Sequence, residues 1–195
     1  ATKTARVIRA AQGNPVSDFG LRRAQGPDGG LAVARASYIA GASSTSNVLA
    51  GKIYGIPVFG THAHSWVMSF STELEAFRAF ARSFPKNCAL LLDTYDVHEG
   101  IKNAIIVGKE MEERGEKLGA IRIDSGDLAK LAKEARSAFD DAGLPYVKIS
   151  VSNDLDEYTI QSLFAQGAPI DSFGVGTKLA TCDPQPSLGG VYKLS

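Results

Sequence analysis

From Ile56 onward the chain repeats one phrase: a short apolar run, a polar turn, then a stretch of helical periodicity. The apolar runs are Pro57 to Gly60, Ala89 to Leu92, Ala120 to Ile123, Val147 to Val151 and Ile170 to Phe173. Their starts lie about 23 to 32 residues apart, the length that a strand plus a crossover helix requires. Between them Ser71 to Ser83, His98 to Arg114, Leu128 to Asp141 and Leu155 to Gln166 carry apolar residues at helical spacing. Alternation of this kind predicts an α/β fold with parallel strands. No Asn-Gly hairpin signal falls between the runs, which favours a barrel or part of one over an open doubly wound sheet.

Ahead of the repeats, residues 1–55 read as a lead-in of helices and loops, so one α/β domain is expected over 1–195. Thr2 to Gln12 forms an amphipathic helix closed by Gly13-Asn14-Pro15. Asp18 to Gly30, DFGLRRAQGPDGG, reads as a loop with two adjacent arginines, and Gly41 to Asn47 as a polar loop. Leu31 to Ile39 and Val48 to Tyr54 read as helices rich in small residues.

The 21 basic and 21 acidic side chains cancel, which gives no support for nucleic-acid or membrane-surface binding through a basic field. A small molecule is the expected partner. Cys88 and Cys182 stand far apart without metal-ligand spacing, so buried thiols in a reducing, cytoplasmic compartment are expected. No apolar run approaches the roughly 18 residues of a membrane span, and no secretory signal is visible. The chain starts at Ala1 without Met and closes on VYKLS, so both ends read as cut.

Polar residues gather after each apolar run: Thr61, His62, His64 and Ser65; Asp93, Thr94, Tyr95 and Asp96; Asp124, Ser125 and Asp127; Ser152, Asn153, Asp154 and Asp156; Gly174, Gly176 and Thr177. In parallel α/β folds that carboxyl edge is where ligands bind. The stretch Gly119 to Ala135 is strand, turn and helix in miniature, with Arg122, Asp124 and Asp127 about a glycine and Ser125 placed to cap the helix. Carboxylates and a cation in one turn suit a sugar hydroxyl, a divalent cation or a phosphate. The FGVGT phrase, Phe173 to Thr177, reads as a glycine-rich turn whose amides can approach a phosphate. His64 is the histidine best placed for chemistry, since a carboxylate from the Asp93 turn would fix its tautomer and leave one ring nitrogen as base or nucleophile. His62 reads as a second contact or a rim residue, and His98 as solvated.

Taken in order, DFGLRRAQGPDGG, NVLAG, GTHAHSWV, LLDTYDV, IRIDSGDL, VSNDLDE, FGVGTKL and PSLGGVYKL closely resemble the nicotinate phosphoribosyltransferases, which are type II phosphoribosyltransferases. The resemblance runs from about Thr4 to the last residue. It implies a parallel (β/α) barrel-like core, incomplete at both ends and without the family's N-terminal domain. It further implies condensation of nicotinate with phosphoribosyl pyrophosphate to nicotinate mononucleotide and pyrophosphate, in NAD salvage, with ATP hydrolysis coupled through a phosphohistidine.

By resemblance His64 would carry the phosphoryl group, Asp93 would orient and polarise it, and Arg122 would lie near the nicotinate carboxylate and the reacting centre. Asp124 would take ribose hydroxyls, and Arg22 and Arg23 the pyrophosphate or the base carboxylate. Gly174, Gly176 and Thr177, with Ser152 and Asn153 nearby, would cradle the 5'-phosphate. Mg2+ would accompany the pyrophosphate, with no resident metal site, and a homodimer is implied. The rivals are a phosphoribosyltransferase for nicotinamide or quinolinate, a catalytically silent barrel fragment, and a phosphate-binding aldolase or isomerase barrel. The last would need a Schiff-base lysine or a strand-end Glu. Lys148 lies within a strand, and Lys178 follows the glycine turn without a clear partner.

Overall fold

The computed structural model describes residues 1–181; Cys182 and the PSLGGVYKL phrase lie outside them. In chain order the elements are α1 (Thr2–Ala10), β1 (Val16–Asp18), a 3-10 turn (Leu21–Arg23), α2 (Gly26–Ile39), β2 (Ser44–Thr45), α3 (Val48–Tyr54) and α4 (His64–Met68). There follow α5 (Glu73–Ser83), β3 (Ala89–Leu91), α6 (Val97–Glu113), β4 (Ala120–Ile123), α7 (Leu128–Asp141), β5 (Lys148–Val151), α8 (Glu157–Ala165), β6 (Ser172–Val175) and α9 (Thr177–Ala180). Strands pair in parallel, as the alternation predicts. The described residues divide into two compact units, one of residues 61–151 with 168–170, the other of 1–60, 152–167 and 171–181.

In the unit built from 61–151, β4 lies between β3 and β5, with Ile121 opposite both Leu90 and Ile149. Leu90, Leu91 and Leu92 are all buried, the continuous apolar run expected of a parallel strand covered on both faces. Helix α7 follows from its sequence: Leu128, Ala132, Ala135 and Phe139 fall on one face and are buried. Its N-terminus is capped by Asp127, whose carboxylate accepts the Lys130 N–H. Ser125, expected as that cap, is instead turned toward Asp93. Gly126 at φ +75° makes this possible by reversing the chain between the two residues.

In the other unit β1 lies between β2 and β6. The buried Ser17 and Ser44 hydroxyls hydrogen-bond at 2.7 Å across the β1–β2 pair, and the Phe173 N–H donates to the Pro15 carbonyl. Helix α1 packs on α8, where Lys3 meets the buried Glu157 at 2.5 Å.

Several boundaries differ from expectation. Pro57 to Gly60 is not a strand: only Val58 bridges to Thr45, because Pro57 has no N–H to extend a ladder. Conversely β2 lies inside a segment read as a loop, and β1 runs from Val16 and Ser17, which were assigned to no element, into the loop that starts at Asp18; two or three residues are too few to show a period. Helix α2 begins at Gly26 rather than Leu31, with Pro27 in its first turn, a position where the missing N–H costs nothing. Gly174 lies within β6, so the turn starts at Gly176. Among the described residues no helix is long and apolar enough to cross a membrane.

Candidate active site

The strand ends of the 61–151 unit bring four of the expected residues together: His64, Asp93, Arg122 and Asp124. His64 opens α4, a helix anchored by Trp66, whose indole N–H donates to the Ala76 carbonyl at 3.1 Å and whose ring packs against Phe70 and Phe80. His64 Nδ1 lies 3.2 Å from the Thr94 hydroxyl. Its Nε2 faces two carboxylates, Asp124 Oδ2 at 3.8 Å and Asp93 Oδ1 at 4.0 Å. The ring is about one-third exposed, and the Asp93 side chain is buried.

Asp93 is fixed from the neighbouring strand end. Its Oδ2 accepts the Asp124 N–H at 2.9 Å and the Ser125 hydroxyl at 2.5 Å, while its Oδ1 is buried without a hydrogen-bond partner. It therefore meets His64 across 4.0 Å rather than through a hydrogen bond. Arg122 donates to Thr61 Oγ1 at 2.9 Å and pairs with Asp124 Oδ1 at 3.0 Å, so the cation stands beside the carboxylates. The result is one imidazole, two carboxylates and one guanidinium at adjoining strand ends. Such a group can bind an anion, accept hydroxyl protons in hydrogen bonds, and support an imidazole acting as nucleophile.

His62 is buried rather than at a rim. Its Nε2 accepts the Leu91 N–H at 3.1 Å, its Nδ1 contacts the Ala63 carbonyl at 3.3 Å, and its ring packs against Phe77 and Phe80. Burial pushes its pKa down to about 4, with a smaller contribution from the nearby Arg122 charge. It is a neutral peg fastening the 61–68 segment to β3. His98 is exposed, as expected, and pairs with Glu134 at 3.1 Å.

The remaining expected residues lie in the other unit. Arg22 and Arg23 occupy the 3-10 turn after β1. That turn is set by Asp18, a residue sequence reasoning left in a loop: it is buried, accepts the Gly20 N–H at 2.8 Å on Oδ1, and accepts the Thr45 hydroxyl at 2.8 Å on Oδ2. Burial raises its pKa, opposed by those two hydrogen bonds. The only signal in the sequence is an acid ending a very short apolar run.

Gly174 and Gly176 have a packing reason for being glycines. A Cβ at Gly174 would stand 2.3 Å from the Phe19 ring, and one at Gly176 would stand 2.8 Å from the Phe19 carbonyl oxygen. Thr177 begins α9, and Ser152 and Asn153 follow β5, where Asn153 and Asp154 both take positive φ. Lys178 does have a partner: its Nζ lies 4.0 Å from Asp156, the N-cap of α8. That contact links the 152–156 loop to α9.

Charged groups at the carboxyl ends of parallel strands mark an α/β enzyme site. Residues 15–194 match the model of the nicotinate phosphoribosyltransferase (NAPRTase) family, and the chain belongs to that family. It is 50% identical over 194 residues to nicotinate phosphoribosyltransferase pncB2 of Mycobacterium tuberculosis, covering 100% of this chain and 42% of that one. It is 52% identical over 196 residues to the nicotinate phosphoribosyltransferase of Bacillus subtilis, covering 100% and 39% respectively. The chain thus spans about two-fifths of the length of these relatives. Among solved structures, human nicotinic acid phosphoribosyltransferase superposes with a TM-score of 0.82 at 34% identity, over 90% of this chain and 46% of that one. The expected fold class, a parallel α/β type II phosphoribosyltransferase core, is the chain's own.

Proposed function

We propose that the protein carrying this chain is a nicotinate phosphoribosyltransferase. It would join nicotinate to the ribosyl carbon of phosphoribosyl pyrophosphate and release pyrophosphate, in NAD salvage. The observation that carries this reading is His64 facing Asp93 and Asp124, with Arg122 paired to Asp124. In the reaction the pyridine nitrogen lone pair attacks the anomeric carbon, and the bond to pyrophosphate breaks with its electrons leaving on oxygen. Positive charge grows on the sugar and negative charge on the leaving group, so carboxylates belong near the ribose and cations near the phosphates. Asp124 takes the first role. Arg22 and Arg23 take the second or hold the carboxylate that distinguishes nicotinate from nicotinamide, and Arg122 stands by the reacting centre. Gly174, Gly176, Thr177, Ser152 and Asn153, all in the unit that holds β1 and β6, are the residues proposed to take the 5'-phosphate.

ATP is the proposed co-substrate. Its terminal phosphoryl group passes to a ring nitrogen of His64 as ADP departs, and water later cleaves the P–N bond to release phosphate. Asp93 steadies the imidazole through charge. Mg2+ is proposed as a companion of the substrate's phosphates, where it would neutralise the leaving group. A homodimer in the cytoplasm belongs to the same reading.

The test is pyrophosphate release from phosphoribosyl pyrophosphate with nicotinate, nicotinamide or quinolinate, with and without ATP, on the longest natural form of the protein. The expected result is nicotinate-specific release enhanced by ATP, with the enhancement lost in His64→Ala and Asp93→Ala. Release with all three bases alike, or variants as active as the parent, would sink the assignment.

A further inference from the structure

We propose that Thr94 is the positioning residue of His64: its hydroxyl donates to Nδ1 and locks the ring so that a protonated Nε2 points at Asp93 and Asp124. The Thr94 hydroxyl, 3.2 Å from Nδ1, is within hydrogen-bond reach of the ring, whereas both carboxylates stand 3.8 to 4.0 Å from Nε2. A hydroxyl can donate or accept, so Thr94 fixes the orientation of the ring and the carboxylates choose its tautomer. With the proton on Nδ1, the Nε2 lone pair would face two negative charges. With the proton on Nε2, the N–H dipole points at them and the Thr94 hydroxyl satisfies the lone pair of Nδ1.

Asp93 supplies a second reason. Its Oδ1 is buried without a hydrogen-bond partner and lies on the Nε2 side of the ring. A buried carboxylate oxygen without a donor is costly, and an Nε2–H dipole turned toward it across 4.0 Å lowers that cost electrostatically, where a lone pair would raise it. The other Asp93 oxygen already accepts from Asp124 and Ser125, so Asp93 cannot rotate toward the ring without breaking both bonds. Thr94 follows Asp93 directly in the chain, so the same strand end carries the acid that faces Nε2 and the hydroxyl that holds Nδ1. The consequence is that Nδ1 is the unprotonated nitrogen, and that Thr94 must yield its hydrogen bond before Nδ1 can act on another group.

The structural half of this inference is independent of the proposed function; its kinetic half rests on it. With the longest natural form labelled with 15N-histidine, His64 is assigned by the resonance lost in His64→Gln, at a pH well above the ordinary imidazole range. The expected spectrum has Nε2 protonated and Nδ1 as a hydrogen-bonded acceptor. Thr94→Val should move the Nδ1 resonance toward that of a bare lone pair, and Thr94→Ser should restore it. A protonated Nδ1 in the parent, or a Thr94→Val spectrum unchanged at Nδ1, would overturn the proposal. In the ATP-coupled assay Thr94→Val should lower kcat about five- to tenfold, the worth of one hydrogen bond, with KM for nicotinate unchanged and Thr94→Ser near the parent. A loss confined to KM would also overturn it. Absence of any ATP-coupled reaction in the parent would instead refute the functional reading, leaving the spectra to decide the role of Thr94.

Discussion

Gly100 lies in the first turn of α6, and a Cβ there would stand 2.1 Å from the Leu92 carbonyl oxygen, 2.9 Å from its carbon and 3.1 Å from its Cα. Two effects of Gly100→Ala oppose each other. Alanine is the better helix former by about 1 kcal/mol. The new methyl, however, meets backbone rather than a movable side chain, and carbon contacts settle near 3.5 to 4.0 Å, so α6 must retreat by more than about 1 Å. Leu92 cannot yield, because its N–H is bonded to the Arg122 carbonyl at 3.0 Å and its side chain is buried. Overpacking of this kind costs about 1 to 3 kcal/mol, and a fixed backbone neighbour puts this site near the upper end. The net loss is about 2 kcal/mol, a fall in Tm of about 4 to 8 °C for a protein of this size. Thermal unfolding followed by circular dichroism reads it, with Gly60→Ala as the control, since a Cβ at Gly60 meets nothing within 4 Å. Because Leu92 adjoins Asp93, the rate of the proposed ATP-coupled reaction should fall as well. A Tm equal to or above the parent's would show that helix propensity dominates and that α6 slides freely on the end of β3.

His62 gives a pH-dependent prediction. Its pKa is about 4 in the folded state against 6.5 for the ordinary group, so between those values the unfolded chain binds the extra proton. Stability from His62 is therefore complete above pH 6.5 and is lost as pH falls toward 4, by about 3 kcal/mol in all. Urea midpoints measured across that window should drop less in His62→Gln than in the parent, and parallel curves would refute the buried neutral peg. In the other unit, Gly174→Ala should destabilise by about 1 to 3 kcal/mol through the Phe19 ring. Adding Phe19→Leu should recover part of the loss, and strict additivity of the two substitutions in a double-mutant cycle would show that the clash is not what matters.

The parallel α/β class was legible because strand and helix periods are local properties of the chain. Ala120 to Ile123 and Leu128 to Asp141 were read with the bounds the structure gives them. The meeting of Asp93 and Asp124 was legible for a related reason, since parallel strands put the residues that follow them at one edge; His64 instead opens α4 after a run that forms no strand, and Arg122 lies within β4. Strands β1 and β2 were not, since Val16–Asp18 and Ser44–Thr45 exist only through their neighbours. Nor was the fate of the histidines, because His62 and His64 differ by two positions yet one is buried under Phe77 and Phe80 and the other is about one-third exposed.

The sequence alone therefore determined the alternation, the family phrases and the set of chemically able side chains. Tertiary structure decided which of them touch. Thr94 meets His64 across 30 residues, Ser125 meets Asp93 across 32, and Thr61 meets Arg122 across 61. Those pairings depend on strand register and on where each turn leaves its strand. A period in one segment carries no information about register against another, so contacts within 4 Å become readable only when both segments are packed.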